Sequence, residues 1–409
     1  MSNTAALVDQ AISLREAGDA AASGRLLAEI LAETPAHGRA YYELAVVRQE
    51  AGDLAGAAAC LEDALNHAGA NARTSLFLAQ MRYGCGDFAG GDAALGTLPP
   101  GPEQAAMAAF GAYLREFPLP RALAMLLRLK QRHRYFDTAE IAAALHGALR
   151  EQAPFAMVRL GDGEGAWIDP GSADKADYTP LYARNRAQMA AIWFGADFAV
   201  ETSGFTALAT GLPAHIPGWD VTGIPYSSWL RHEYTIASPR GVPSLVNLIR
   251  RLLAAGAPAE TAFCRQLANT DLFTEGHLPG ILQRAGALTV ITCHTGLPAW
   301  LTAEYGLSDV EHLPVPGERG RTALLGEAAL RGVQFPDRFA QLQAELARPW
   351  NGRLVLIAAG ILGKFYASTI RRHGGIALDI GSLADVWMGR LTRPGNARLI
   401  AQGAATPGK

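Results

Sequence analysis

The stretch Phe155-Ala-Met-Val-Arg159-Leu160-Gly161-Asp162-Gly163-Glu164-Gly165 begins as an apolar strand and ends in an acidic, glycine-rich turn. In extended backbone, side chains two residues apart lie on the same side of the chain, so Asp162 and Glu164 are expected to face one way. Glycine permits a sharp turn and the close approach of a ligand. Hard divalent cations prefer carboxylate oxygens, and a nucleotide diphosphate requires such a cation. The stretch therefore predicts a metal-bridged phosphate site in an enzyme; the alternative is a plain Asp-Gly turn.

Strands alternate with helices on both sides of this turn, from about residue 151 to residue 395. This alternation predicts an α/β, Rossmann-like domain with a mostly parallel sheet covered on both faces. Ligands of such sheets lie beyond the carboxyl ends of the strands. The expected strands are 155–160, 220–224, 287–293, 310–315, 353–359 and 376–380, and the expected helices are 182–195, 243–255, 279–284, 298–305, 337–347 and 361–373.

A second glycine turn follows the strand Leu354-Val-Leu-Ile-Ala358 and reads Gly360-Ile-Leu-Gly363-Lys364. A strand that runs through glycine into a helix presents backbone N–H groups and the helix dipole to an anion. Lys364 is expected in the first helical turn, within reach of a phosphate. The turn is neither a Walker loop nor a dinucleotide fingerprint. The alternative is a tight turn with a solvated lysine.

The N-terminal hundred residues repeat themselves. Gly-Asp recurs at 18–19, 52–53 and 86–87, a spacing of 34 residues. This period and the flanking apolar faces resemble the tetratricopeptide family over about residues 4–99, which implies an all-α domain at 1–100. Gly90 and Gly91 stand where a helix former is expected, so the third repeat is degraded. The array is expected either to bind a peptide or protein partner, or to serve as a packing or dimerisation module without a ligand.

A helical connector is expected at 101–150, with helices at 105–117 and 121–133 and a third that Asp137 and Glu140 cap. The last residues, 396–409, are expected to form a flexible tail.

Composition excludes several function classes. The chain has 409 residues and a net charge of −2, which argues against a general nucleic-acid binder. The four cysteines form no Cys-x-x-Cys pair, and Cys60 and Cys85 are expected to be buried free thiols. The start has no basic region before an apolar run, and no apolar stretch is long enough for a membrane span. We therefore expect a cytoplasmic protein.

The two glycine turns, together with Gly374-Gly-Ile-Ala-Leu-Asp379-Ile-Gly-Ser382 and Asp385-Val-Trp387, resemble the GT-D type glycosyltransferases. The resemblance covers about residues 140–395 and is strongest at the two ends. It implies a Rossmann-like domain whose Asp-x-Glu motif binds a divalent metal, Mn²⁺ or Mg²⁺, and a nucleotide-sugar donor. It also implies hexosyl transfer from a donor such as a UDP-sugar to a glycan, protein or lipid-linked acceptor.

The resemblance implies that Asp162 and Glu164 bind the metal and take part in catalysis. The donor and its phosphates are expected to contact Arg159, Gly161, Gly163, Gly360, Gly363, Lys364 and Asp379. An inverting enzyme needs a base for the acceptor hydroxyl, and the candidates are His294, Glu318 and Asp379.

Four of the predicted site residues also have a structural alternative. In these alternatives, Arg159 pairs with the acidic turn, and Asp379 holds a turn or caps a helix. His294 is then an ordinary loop histidine, and Glu318 pairs with Arg319 or Arg321. Three further residues are expected either to stack on a base or sugar or to lie in the core: Tyr226, Trp229 and Arg231.

Two other functions stay open. One is a non-catalytic repeat scaffold with a degenerate α/β domain. The other is a different nucleotide-using transferase, such as a methyltransferase that uses the Gly360 turn and needs no metal. Metal-dependent hydrolysis of a nucleotide sugar would distinguish a glycosyltransferase from the scaffold and from the methyltransferase.

Overall fold

The structure is a computed structural model that describes residues 3–69, 71–168, 177–201, 203–254, 261–393 and 395–401. The described residues divide into two compact units. The helical unit comprises 3–123, 177–185 and 227–246, and the α/β unit comprises the rest. Both units are therefore discontinuous in sequence, because the chain returns twice to the helical unit after the first strand.

Among the described residues, nine helices precede the first strand. They are α1 (Asn3–Glu16), α2 (Ala20–Glu33), α3 (Gly38–Glu50), α4 (Leu54–Ala68), α5 (Ala72–Gly84), α6 (Phe88–Gly96), α7 (Pro102–Glu116), α8 (Leu119–Arg132) and α9 (Thr138–Glu151).

Strands and helices alternate after them. They are β1 (Phe155–Arg159), α10 (Asp162–Gly165), α11 (Thr179–Phe194), α12 (Phe205–Thr210), β2 (Val221–Ile224), α13 (Ser227–Thr235), α14 (Gly241–Ala254), β3 (Ala262–Arg265), α15 (Ala268–Thr274), α16 (His277–Ala285), β4 (Ala287–Thr292), α17 (Leu297–Tyr305), β5 (Asp309–Pro314), α18 (Thr322–Leu325), α19 (Asp337–Leu346), β6 (Leu354–Ile357), α20 (Leu362–Arg372), β7 (Ile376–Asp379), α21 (Leu383–Trp387) and α22 (Asn396–Leu399).

The first six helices form the three predicted pairs, named repeat 1 (α1 and α2), repeat 2 (α3 and α4) and repeat 3 (α5 and α6). Each Gly-Asp lies between the two helices of a pair. The glycine has a positive φ, which ends the first helix. The aspartate caps the second: Asp53 Oδ1 accepts from the N–H of Gly56 at 2.9 Å, and Asp19 and Asp87 do the same in repeats 1 and 3.

The glycines of repeat 3 make room for an aromatic ring. A Cβ on Gly91 would lie 2.4 Å from the ring of Tyr83, and one on Gly111 of α7 would lie 2.6 Å from it. A Cβ on Gly90 would lie 2.1 Å from the capping carboxylate of Asp87. Tyr83 is buried and donates to Asp92 Oδ1 at 2.7 Å. At position 91, close packing against Tyr83 excludes a side chain, so the prediction that a helix former would suit it better is wrong. At position 90 the nearest atoms are the ends of the Asp87 and Arg82 side chains, and repeat 1 has Ala22 at the equivalent capped position.

The three helices predicted for 101–150 are present as α7, α8 and α9. Within this range, residues up to 123 belong to the helical unit and those from 124 belong to the α/β unit, so the connector as a separate segment stays a prediction. At the start of α9, Asp137 accepts from the N–H of Glu140 at 2.8 Å and Glu140 accepts from the N–H of Asp137 at 3.0 Å. These reciprocal bonds are the predicted capping box. At the other end of the chain, residues 396–399 of the expected tail form α22, and 402–409 lie outside the described residues.

Among the described residues, the α/β unit holds one seven-stranded sheet of order β3-β2-β1-β7-β6-β4-β5. Every pairing in it is parallel, as the alternation predicts. Strands β1, β2, β6 and β7 are buried throughout, because helices cover both faces. Strand β3 was not predicted, because it contains none of the β-branched residues that favour a strand.

Of the two N-terminal cysteines, Cys60 is buried as expected, whereas Cys85 is exposed. Cys85 follows the last turn of α5, where the chain leaves the packed face. Within the described residues, no helix is long and apolar enough to cross a membrane.

Candidate functional site

A cavity of about 220 Å³ opens at the carboxyl edge of the sheet, and all the residues that line it belong to the α/β unit. It lies beyond the ends of β1, β4, β6 and β7. Strands β4 and β6 are neighbours in the sheet. The chain continues from β4 to β5 on one side of this pair and from β6 to β7 on the other side. Such a reversal of strand order leaves a crevice in which ligands bind. Both predicted glycine turns line this cavity, although about 200 residues separate them in sequence.

The acidic turn is helical rather than extended, because Asp162–Gly165 forms the short helix α10. Side chains two residues apart in a helix diverge by roughly 200°, so the expectation that Asp162 and Glu164 point the same way is wrong. Glu164 Oε2 accepts from the N–H of Gly161 at 2.8 Å and caps its own turn. Both carboxylates nevertheless line the cavity.

Four buried charged side chains form the floor of the site. Asp379, at the end of β7, accepts from Lys364 Nζ at 2.5 Å and from an Nη of Arg159 at 3.1 Å. The backbone N–H of Arg159 donates to the same carboxylate at 3.1 Å. Lys364 Nζ also lies 3.6 Å from Glu164 Oε1. Two cations and two anions therefore neutralise each other.

This floor changes the interpretation of several predicted residues. Arg159 pairs with Asp379 and not with the acidic turn, and Asp379 neither caps a helix nor is free to act alone. Burial raises the pKa of Asp379, but Arg159 and Lys364 outweigh it and leave the pKa below its ordinary value. Lys364 is buried and paired instead of solvated. Its phosphate contact stays a prediction.

The glycines of the two turns permit close packing around the cavity. A Cβ on Gly163 would lie 2.9 Å from the ring of Trp193, and one on Gly363 would lie 2.8 Å from Ile357. Gly360 has a φ of +55°, which favours glycine. Gly161 has a negative φ of −134°, so its conformation does not require glycine. Packing and backbone conformation thus account for Gly163, Gly360 and Gly363. The contacts of these three glycines and of Gly161 with a ligand stay predictions.

His294 lies behind the cavity wall. It is 4% exposed and is not among the residues that line the cavity. Its Nε2 lies 2.7 Å from Asp385 Oδ1, and the other oxygen of Asp385 accepts from Thr392 Oγ1 at 2.5 Å. Asp385 and Thr392 do line the cavity. The geometry therefore places Asp385, and not His294, at the surface that a substrate would meet.

Glu318 lies in the cavity wall as an ion-paired residue. Arg393 donates to its Oε1 at 2.7 Å, and Arg321 Nε lies 3.1 Å from its Oε2. Arg319 pairs with Asp197 instead. Burial lowers the pKa of Arg393, but the charges of Glu318, Asp385 and Asp162 raise it overall, so Arg393 stays charged among three carboxylates. Both oxygens of Glu318 face guanidinium groups, which does not suit a general base.

Sequence reasoning did not assign Asp385, Arg393 or Trp193 to the site. Asp385 had a signal, since it belongs to the segment that carries the glycosyltransferase resemblance. Trp193 is the penultimate residue of α11, and Arg393 lies between α21 and α22; neither belongs to a segment that the sequence analysis singled out. Conversely, Tyr226 does not line the cavity, and Trp229 and Arg231 belong to the helical unit.

The described residues contain no group of three or more His, Cys, Asp or Glu side chains that could hold a metal ion by itself. Magnesium-type sites in nucleotide enzymes use one or two carboxylates and complete the shell with water and substrate phosphates. Asp162 and Glu164 are the right number and kind of side chains for that second kind of site, in which the ligand brings part of the coordination sphere. Their binding of a metal stays a prediction, since Glu164 is engaged by Gly161 and Lys364.

No family profile and no curated protein matches the sequence of this chain. Among solved structures, the chain is similar to a mutant of the O-GlcNAc transferase of Thermobaculum terrenum. The two share 13% identity over 94% of this chain and 77% of that chain, with a TM-score of 0.27. A likeness at that TM-score supports no conclusion about this chain, and the function is argued from the cavity.

Proposed function

We propose that this protein is a metal-dependent glycosyltransferase that moves a sugar from a nucleotide-diphosphate sugar to a glycan, protein or lipid-linked acceptor. The observation that carries the proposal is the cavity that collects both glycine turns at the carboxyl edge of a parallel sheet. The resemblance of these turns to GT-D type enzymes supports the same chemistry. A UDP-sugar is the first donor to test.

The charge of the cavity supports a metal requirement. Its lining carries five carboxylates and three cationic side chains, a net charge of −2. A diphosphate would be repelled by this balance, and a divalent cation offsets it. The carboxylates are Asp162, Glu164, Glu318, Asp379 and Asp385, and the cations are Arg159, Lys364 and Arg393.

In this proposal, Asp162 and Glu164 hold the metal, which when bound supplies Lewis-acid stabilisation of the leaving diphosphate. Gly360, Ile361 and Leu362, at the start of α20, line the same cavity, and the N–H groups at the start of a helix suit an anion. Lys364 and Arg393 add positive charge there.

Asp385 is the proposed base for the acceptor hydroxyl. It lines the cavity, and His294 and Thr392 hold its two oxygens in place. A carboxylate within reach of the substrate can take the hydroxyl proton as the new bond forms. His294 acts through Asp385 as a positioning residue.

One observation favours the scaffold alternative: Glu164 already caps its own turn and faces Lys364. If the buried charges only stabilise the fold, the cavity binds no nucleotide. A methyltransferase, in turn, would bind its nucleoside ligand without a metal. The two alternatives therefore differ from the proposal in metal-dependent binding.

The test measures the binding of UDP, GDP and ADP with and without Mn²⁺. Tryptophan fluorescence is the readout, because Trp193 lines the cavity. We expect tight binding of one nucleotide only with Mn²⁺, and at least about tenfold weaker binding in Asp162→Asn and Glu164→Gln. Glu304→Gln is the matched control, since Glu304 is an exposed residue of α17 outside the cavity.

Hydrolysis of the corresponding nucleotide sugar should follow the same metal dependence. Binding or turnover that ignores Mn²⁺, or unchanged affinity in both cavity variants, would contradict the proposal.

A further inference from the structure

The turn after α13 is bound by the repeats within the helical unit. Gln49 of repeat 2 donates through Nε2 to the carbonyl of Ile236 at 2.9 Å. Gln80 of repeat 3 donates through Nε2 to the carbonyl of Ala237 at 3.0 Å. Both carbonyls lie beyond Thr235, the last residue of α13. The carbonyls of residues 232, 233 and 234 accept from the N–H groups of residues 236, 238 and 237. The two carboxamides from the repeats therefore bind the turn that follows the helix.

Small residues bring the two backbones together. Ala237 has a φ of +48°, is fully buried and belongs to the hydrophobic core of repeats 2 and 3. A Cβ on Gly84 would lie 2.5 Å from the Cβ of Ala237, and a Cβ on Gly52 would lie 2.5 Å from Thr235. The contact therefore selects glycine on the repeats and a small side chain at 237.

Two residues that make this contact depart from the repeat pattern. At the position of Gly84, repeats 1 and 2 have Glu16 and Glu50. At the position of Gln80, they have Ile12 and Val46. The hydrogen bond to Ala237 accounts for the polar residue at 80. The glycine at 84 has two close neighbours, since a Cβ there would lie 2.5 Å from Ala237 and 2.6 Å from Leu54 of repeat 2.

Two more side chains of the helical unit hold the same segment. Tyr234 donates its hydroxyl to the carbonyl of Phe117 at 2.5 Å, and burial raises the pKa of that hydroxyl. Asn185 of α11 donates to the carbonyl of Pro239 at 3.0 Å. With the bonds from Gln49 and Gln80, four side-chain hydrogen bonds to backbone carbonyls hold residues 234–239. Three of them are donated to carbonyls of this segment, and one is donated by Tyr234.

We infer that repeats 2 and 3 form a dedicated site for residues 232–239 of the same chain. This segment is the last turn of α13 and the turn after it, and it is bound through the carbonyls of Ile236 and Ala237 and the small side chain of Ala237. The ligand of the repeats is thus the segment inserted between β2 and β3. The surface that carries Gln49 and Gln80 does not serve as a free receptor for an outside peptide.

Hydrogen–deuterium exchange of the full chain, read by mass spectrometry, tests this assignment. Gln80→Val introduces the residue that repeat 2 has at this position, so repeat 3 keeps an apolar helix. We expect exchange in 232–239 to rise about tenfold, since the loss of one buried hydrogen bond loosens the segment. Exchange in α1 and α2 should stay unchanged. Gln10→Ala, at an exposed glutamine of α1, is the matched control.

A second measurement uses a labelled synthetic peptide of residues 227–246. The full chain with Ala237→Arg cannot seat its own segment and should bind the peptide at least tenfold more tightly than the unaltered chain. Unchanged exchange in Gln80→Val, or equal peptide binding by both chains, would overturn the inference. Equal binding would mean that the site is open to outside partners.

Discussion

Replacing Asp379 with asparagine should destabilise the α/β unit strongly. Asp379 is buried and neutralises both Arg159 and Lys364, at 3.1 and 2.5 Å. An asparagine keeps one acceptor oxygen but leaves two buried cations without its charge, and of these Lys364 has Glu164 at 3.6 Å. Removal of one partner from a buried ion pair costs about 3–5 kcal/mol, because the remaining charge stays out of water.

Urea unfolding followed by tryptophan fluorescence measures this loss. Of the seven tryptophans, all but Trp229 belong to the α/β unit, so the signal reports mainly on that unit. Asp309→Asn is the matched control, because it removes a carboxylate that pairs with Arg353 at 2.6 Å but is 61% exposed. The control should lose about 0–1 kcal/mol.

The pH dependence of the difference gives a second check. The folded pKa of Asp379 lies below its ordinary value. Such a carboxyl stabilises the fold above its unfolded pKa, and that contribution is lost as pH falls through the folded pKa. The gap between the unaltered chain and Asp379→Asn should be full at pH 7 and shrink below about pH 4. A loss for Asp379→Asn no larger than for Asp309→Asn would refute the argument.

Three further outcomes follow from other parts of the molecule. Gly91→Ala should cost about 1–3 kcal/mol in thermal unfolding followed by circular dichroism, because the new methyl group meets the ring of Tyr83; a gain in stability would show that the ring yields. In the native protein, one thiol per chain should react rapidly with a chromogenic disulfide, since only Cys85 of the four cysteines is exposed; two fast thiols would contradict this. Asp385→Asn should lower sugar transfer about 10²–10⁴-fold while nucleotide binding is kept, and unchanged turnover would exclude a role as base.

The features that were predictable from the chain are local or periodic. The recurrence of Gly-Asp every 34 residues indicated helix pairs, because the αL glycine and the capping aspartate act within one turn of backbone. The alternation of strands and helices indicated the parallel sheet, because a helix between two strands lets both strands run in the same direction. Other elements were missed. Strand β3 has no β-branched residue, and the short helix α10 stands in place of the extended turn on which the first interpretation of Asp162 and Glu164 depended.

The candidate site was predicted in location but not in its contacts. Both glycine turns reached one cavity because the carboxyl ends of parallel strands share one edge of the sheet. The partners of their side chains did not follow from that rule. Asp379 pairs with Arg159 across 220 residues and Asp385 holds His294 across 91, distances at which no local pattern constrains the choice.

From the amino-acid order alone came the repeat period, the caps, the strand order along the chain and the two glycine turns, since each depends on backbone preferences within a few residues. Folding decided which charges neutralise each other beneath the cavity, and that Asp385 and not His294 faces it. It also decided that Gln80 and Gly84 contact Ala237, in the turn after α13 of the same chain. These outcomes depend on which surfaces exclude water when distant segments pack, and burial is a property of the assembled fold.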